Sequence, residues 1–222
     1  MRIQERLSEI DHVMVAFDGP IAELPPASLS VDSLRVMVAE GGLPREVART
    51  EDPFAVLDYA ATIGPATERA VHDQLTRVEQ GVLLAARRTP GVDEGFDTLA
   101  AAGVKITVVG RVATAAIRSF LVMHNLEQYV WYLAGRSGPA DRALVPPAPD
   151  LVNAAIRTSA VPAEASLFVG STQADLDAAR AAGVATVSTV EQPGCWDALA
   201  GLVPRSPLRP GTSSSARPGH TA

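Results

Sequence analysis

The sequence predicts an α/β fold: a doubly wound parallel sheet with an all-helical segment inserted after its first strand. Three observations predict it. A strand over 12–17 carries the run Val13-Met14-Val15-Ala16-Phe17, apolar on both faces as the buried centre of a parallel sheet requires, and ends in an Asp18-Gly19 turn. Between Ile21 and Arg88 the hydrophobic period becomes helical, with no strand pattern. From Thr89-Pro90-Gly91 onward, apolar runs alternate with helical stretches of about 10–14 residues, the pattern of right-handed βα crossovers.

Taken in order, Ser30 is placed to cap a helix over 31–40 that Gly41-Gly42 ends. Leu43-Pro44 opens a short helix, and Asp52-Pro53 opens another through Phe54, Val56, Leu57 and Tyr59 to Gly64. Residues 66–88 read as one long helix, with Ala70, Leu75, Val78, Val82 and Leu83 near one stripe. After the break come a helix over 92–102 with Gly103 at its C′ position, a strand over 105–109 and a helix over 113–125. A strand over 129–133, a polar Pro-rich loop over 135–149 and a helix over 150–159 follow. A strand over 166–169, a helix over 172–182 closed by Gly183, a last strand over 184–190 and a short helix around 196–202 complete the alternation. The expected organisation is a core of residues 1–22 and 89–203, a helical cap of residues 23–88, and a disordered tail of residues 204–222, rich in Pro, Arg, Ser and Gly. There are no internal repeats.

Composition bounds the function. With 222 residues, 47% hydrophobic and 20% charged, the chain can bury a proper core. A net charge of −6 argues against a nucleic-acid surface, since little here would neutralise a row of phosphates. Cys195 is the single cysteine, so no disulfide forms within the chain and no thiolate metal cluster is possible; a reduced compartment fits. The opening Met1-Arg2-Ile3-Gln4-Glu5-Arg6 is polar and mixed in charge, unlike a signal peptide. No apolar run reaches the roughly 18 residues of a membrane span. The expectation is a cytoplasmic protein that meets neither nucleic acid nor membrane. No oligomeric state is specified.

In open parallel sheets ligands sit at the carboxyl ends of the strands. Four segments arrive there: Asp18-Gly19-Pro20, Gly110-Arg111, the Pro146 region and Gly170-Ser171-Thr172. The first and last are small-residue turns able to present backbone N–H groups to an anion. Candidate ligand-binding residues there are Gly19, Gly110, Arg111, Ser171, Thr172 and Asp175, beside the turn carboxylate of Asp18. Each has a plainer reading: Asp18 as a turn carboxylate, Asp175 as a carboxylate favoured at a helix start, Arg111 as a solvated side chain. Trp131 and Trp196 read as core or cap-packing residues, Cys195 as inert.

These segments resemble, in order and spacing, the motifs of the haloacid dehalogenase-like hydrolase superfamily. Ala16-Phe17-Asp18-Gly19-Pro20 stands where that family has Asp-x-Asp-Gly-Thr. Thr89-Pro90-Gly91-Val92 and Val108-Val109-Gly110-Arg111 are similar to the approach to its second motif, and Pro147-Ala148-Pro149-Asp150 to the segment after its lysine. Val169-Gly170-Ser171-Thr172-Gln173-Ala174-Asp175 looks like its fourth motif. The resemblance covers about residues 1–203 and implies a Rossmann-like core with the cap of phosphoglycolate-phosphatase-like members. It also implies an aspartyl-phosphate mechanism: a nucleophilic aspartate, a second aspartate for proton transfer, a hydroxyl and a lysine on the phosphoryl oxygens, and Mg²⁺ between aspartates. In this sequence the nucleophile position is Ala16, the hydroxyl position Gly110, the lysine position Pro146 and the first aspartate of the fourth motif Ser171; Asp18, which the resemblance implies is a vestigial acid/base position, and Asp175 remain. Lys105, the only lysine, begins its strand at the opposite edge of the sheet, leaving Arg111, Arg136 or Arg142 to reach a phosphate. The expectation is a pseudoenzyme without a cofactor, its Mg²⁺ ligands largely missing, that binds a small anionic or phosphorylated ligand or a protein partner. The alternatives are a phosphoester hydrolase with non-standard site chemistry and a purely structural or scaffolding subunit.

Overall fold

The computed structural model describes residues 9–24, 31–191, 194 and 196. Its main sheet has five strands, all parallel: β1 (His12–Ala16), β4 (Lys105–Ala113), β5 (Val130–Arg136), β6 (Ser166–Gly170) and β7 (Ala185–Ser188). Their order is β5-β4-β1-β6-β7. The chain runs outward from β1 through β4 to β5, then returns to the other flank of β1 as β6. That reversal creates a crevice at the carboxyl ends of β1 and β6.

Every residue of β1 is buried, so the pleat sends alternate side chains into two cores. Val13, Val15 and Phe17 join the cluster under α5 (Val92–Ala101) and α6 (Thr114–Met123). Met14 and Ala16 join the cluster under α7 (Asp150–Ser159) and α8 (Gln173–Ala181). The helices expected over 92–102, 113–125, 150–159 and 172–182 form. Gly103 and Gly183 take φ values of 79° and 77° past the ends of α5 and α8, where a side chain would be strained.

The insertion holds α1 (Asp32–Met37), α2 (Arg45–Arg49), α3 (Pro53–Ile63) and α4 (Pro65–Leu83). Asp52 caps α3 by accepting the Phe54 N–H at 3.0 Å, with Pro53 in the first turn. A third apolar cluster, including Leu34, Val56, Leu57, Val71 and Leu75, holds these helices together.

Four expectations need correction. The long helix stops at Leu83 rather than 88, and the segment is not free of strands: Arg87–Arg88 (β3) pairs antiparallel with Ala22–Glu23 (β2). This two-residue ribbon is too short to leave a periodic trace. The buried face of α4 is Val71, His72, Leu75, Glu79 and Leu83, and Ala70 is exposed; two polar residues on that face displaced the apolar stripe. Trp131 is exposed on the edge strand β5, its ring under Lys105 Nζ at 5.0 Å. Ser30, Cys195, most of the short helix expected at 196–202 and the tail 204–222 lie outside the described residues. No helix among the described residues is long and apolar enough to cross a membrane.

Candidate active site

The turn after β1 is closed by the Gly19 N–H on the Ala22 carbonyl at 2.9 Å and the Ala22 N–H on the Phe17 carbonyl at 3.0 Å. Gly19 has φ of 89°, and a Cβ there would lie 2.5 Å from Ser171 Oγ, so the position requires glycine twice over. Asp18 is exposed at this turn. Its carboxyl is pushed above the ordinary aspartate range by desolvation and next by the negative charge of Asp175, with Arg111 pulling the other way.

After β6, Thr172 caps α8. Its hydroxyl donates to Asp175 Oδ2 at 2.6 Å and accepts the Asp175 N–H at 3.2 Å. Asp175 is buried, and burial raises its carboxyl against the lowering effect of the Thr172 bonds and of Arg111. Ser171 donates its hydroxyl to the Asp18 carbonyl at 2.8 Å.

Gly110 does not lie past the strand, where the expected end at residue 109 put it. β4 continues through it to Ala113, with an irregular register between Val109 and Ala113, and Gly110 is buried. A Cβ on it would meet Ile117 Cδ1 at 2.9 Å and Phe17 Cβ at 3.2 Å. Its neighbour Arg111 is exposed, with its guanidinium over the Phe54 ring at 5.3 Å. Among the described residues no carboxylate lies within ion-pair distance of Arg111. The other two arginines are engaged. Arg142 pairs with Asp58 and Glu68 of the insertion at 2.5 and 2.6 Å. Arg136 is fully buried, pairs with Glu79, and donates Nε–H to the Arg111 carbonyl at 2.7 Å. Burial raises the Glu79 carboxyl while Arg136 and the Ala113 N–H draw it down.

The structure thus gathers Asp18, Gly19, Arg111, Ser171, Thr172 and Asp175 around the carboxyl ends of β1, β4 and β6. It keeps Gly110 inside a strand and Ala16 and Pro146 buried. Lys105 lies at the far edge, donating to the Ser159 carbonyl at 2.7 Å. Sequence reasoning missed the Glu79–Arg136 pair and the Phe54 ring between Arg111 and Arg136. The one available signal was an acid on the buried stripe of α4. For the divalent cation that the resemblance implies, the donors here do not fit. Two carboxylates remain, the Ser171 hydroxyl is spent on the Asp18 carbonyl, and among the described residues no three metal-ligating side chains come together.

Comparison with known proteins adds the lineage. A family model described as haloacid dehalogenase-like hydrolase matches residues 58–189. The phosphoglycolate phosphatase of Pseudomonas syringae pv. tomato is 26% identical over 186 residues, 82% of this chain and 64% of that protein. The phosphoglycolate phosphatase of Pseudomonas savastanoi pv. phaseolicola is 27% identical over the same shares. The chain therefore spans less than two thirds of the length of these relatives. Among solved structures, CbbY from Rhodobacter sphaeroides in complex with phosphate has a TM-score of 0.60 at 18% identity, covering 81% of this chain and 85% of that one. A HAD-superfamily hydrolase from Geobacter sulfurreducens has a TM-score of 0.53 at 21% identity, covering 81% and 87%. Both share the fold.

These findings overturn the expectation of a pseudoenzyme acting only by binding. The matching family is one of hydrolases, the curated relatives are phosphatases, and nothing in either comparison points to lost activity. The expectation rested on the replaced motif positions Ala16, Gly110, Pro146 and Ser171. With the parallel sheet, its strand order and a family match over 58–189, the chain belongs to the haloacid dehalogenase-like hydrolases.

Proposed function

We propose that the chain hydrolyses small phosphate monoesters by direct attack of water, with no aspartyl phosphate. The observation that carries this reading is the convergence of Asp18, Asp175 and Arg111, with Asp18 exposed and its carboxyl raised. Arg111 has no competing carboxylate partner among the described residues and takes the phosphoryl oxygens as a fork of donors. The N-terminus of α8 adds N–H groups and the positive end of its dipole.

Asp18 then serves as general base. It takes a proton from water as the new O–P bond forms and releases it to solvent, while the ester P–O bond breaks on the opposite side of phosphorus and the leaving oxygen takes a proton from solvent. Ester and water become alcohol and phosphate, with no other reactant. Asp175 supports the step by keeping the proton affinity of Asp18 high. The same proposal takes the protein as cytoplasmic, and it puts the substrate among small phosphorylated acids because the curated relatives are phosphoglycolate phosphatases.

Purified protein assayed on a phosphoester panel led by phosphoglycolate tests this, with EDTA in one arm and Mg²⁺ in the other. The expected result is turnover that survives EDTA and falls by about 100-fold or more in Asp18→Asn and in Arg111→Ala. Silence on the whole panel, or Mg²⁺-dependent turnover indifferent to Asp18→Asn, would overturn it.

A further inference from the structure

The turn that carries Asp18 is held by side chains from three remote segments. Ser171, just past β6, donates to the Asp18 carbonyl at 2.8 Å. Thr89, where the chain returns from the helical insertion, donates its hydroxyl to the Gly19 carbonyl at 2.6 Å, and its N–H reaches the Ile21 carbonyl at 2.9 Å. Trp196, beyond β7, donates its indole N–H to the Pro20 carbonyl at 2.9 Å. Three successive carbonyls each meet one side-chain donor, and the donors lie 153, 70 and 176 residues away along the chain.

Closing the turn does not require this, since its own backbone bonds already do so. Carbonyls at a turn otherwise find water as a partner. Binding them to side chains instead fixes their direction, and with it the Cα from which the Asp18 carboxylate projects. The donors are themselves held. Trp196 is buried, its ring edge-on to Phe96 at 5.4 Å and so close to Gly95 that a Cβ there would come within 2.4 Å of it. Ser171 faces Gly19 across a gap that admits no side chain. Thr89 directly follows β3, so the ribbon at the root of the insertion is continuous with the turn.

We propose that Ser171, Thr89 and Trp196 are positioning residues for Asp18, holding the turn so that its carboxylate keeps one orientation toward Arg111 and the start of α8. The kinetic consequence rests on the hydrolytic reading above; the structural consequence does not. Ser171→Ala, Thr89→Val and Trp196→Phe each remove one donor and keep most of the shape.

Three measurements apply to each variant: thermal melting, the titration of the Asp18 carboxyl by ¹³C NMR assigned against Asp18→Asn, and steady-state kinetics. The expected result is melting within about 5 °C of wild type, an Asp18 midpoint displaced downward as water reaches the loosened turn, and kcat reduced about ten- to a hundredfold with KM little changed. Thr89→Ser, which keeps the hydroxyl, should behave as wild type. An Asp18 midpoint and kcat unchanged in all three variants overturn the proposal, as does a Thr89→Ser as impaired as Thr89→Val. A wild type silent on every phosphoester removes the hydrolytic reading alone, and the NMR titration then decides the positioning role by itself.

Discussion

Acidification should expose a polar knot buried at the opposite end of the sheet from Asp18. His12, the first residue of β1, is fully buried; Nε2 lies 2.8 Å from Thr107 Oγ1, and Nδ1 lies 3.2 and 3.3 Å from Ser159 Oγ and Ser166 Oγ. Both serine hydroxyls donate to backbone carbonyls, Ser159 to Ile156 and Ser166 to Pro162. Nδ1 is therefore the proton donor and Nε2 accepts from Thr107, the arrangement of a neutral imidazole. Burial, and next the charge of Lys105, lowers its pKa from 6.5 to about 4. As pH falls the unfolded chain takes the proton first, so the stability this site contributes is complete above about pH 6.5 and is lost on the way down to pH 4. At about 1.4 kcal/mol per unit the loss is about 3 kcal/mol. The carboxyls of Asp18, Asp175 and Glu79 are raised, and protonating them stabilises the fold on acidification, the opposite sign. The measurement is therefore a difference: urea unfolding of wild type and of His12→Asn, whose amide hydrogen-bonds but does not titrate, at intervals from pH 7.5 to 4. Any advantage of wild type should shrink by about 3 kcal/mol across that range. A gap that stays flat refutes the reasoning.

Two further perturbations follow from packing. Glu79→Gln leaves the Arg136 guanidinium buried without its counter-charge and should cost about 3–5 kcal/mol in urea unfolding, while Glu79→Leu with Arg136→Met should recover most of it. A single-variant cost under about 1 kcal/mol would mean that water reaches the pair. Gly95→Ala drives a methyl into the Trp196 ring and should cost about 1–3 kcal/mol, with a red shift in tryptophan emission as the indole leaves its seat. Unchanged emission and stability would show that the ring has room to move.

What was legible in the sequence followed from period and turn chemistry. The buried run of β1, Asp52 before Pro53, and Gly103 and Gly183 past their helices were all readable because each acts within a few residues of itself. The rest depends on partners far away. Glu79 sits on the buried face of α4 because it meets Arg136, 57 residues on, and no local pattern announces that. Gly110 was read as lying just past a strand that ended at residue 109. The strand passes through it because the Ile117 and Phe17 side chains fill the space a Cβ would need. At the site, the motif flanks located Asp18, Asp175 and Ser171. That Arg111 alone among the three candidate arginines lacks an acid partner among the described residues emerged only when Arg136 and Arg142 were seen at theirs.

The same geometry supports the proposal that water, rather than a side chain, is the nucleophile. Covalent catalysis needs an atom that touches phosphorus, and at the end of β1 that place holds the Ala16 methyl, 2% exposed and packed in the cluster beneath α7 and α8. Two residues further, Asp18 stands outside that core on a turn open to solvent. A carboxylate acting through one water reaches farther than a carboxylate acting by itself, so displacement of the functional group from the strand end to the turn suits proton transfer better than attack. The demand on the protein then shifts from nucleophilicity to orientation, because a base works only when it faces the water and the phosphate together. A turn with three carbonyls tied to three distant segments, beside an arginine with no rival carboxylate among the described residues, meets that demand.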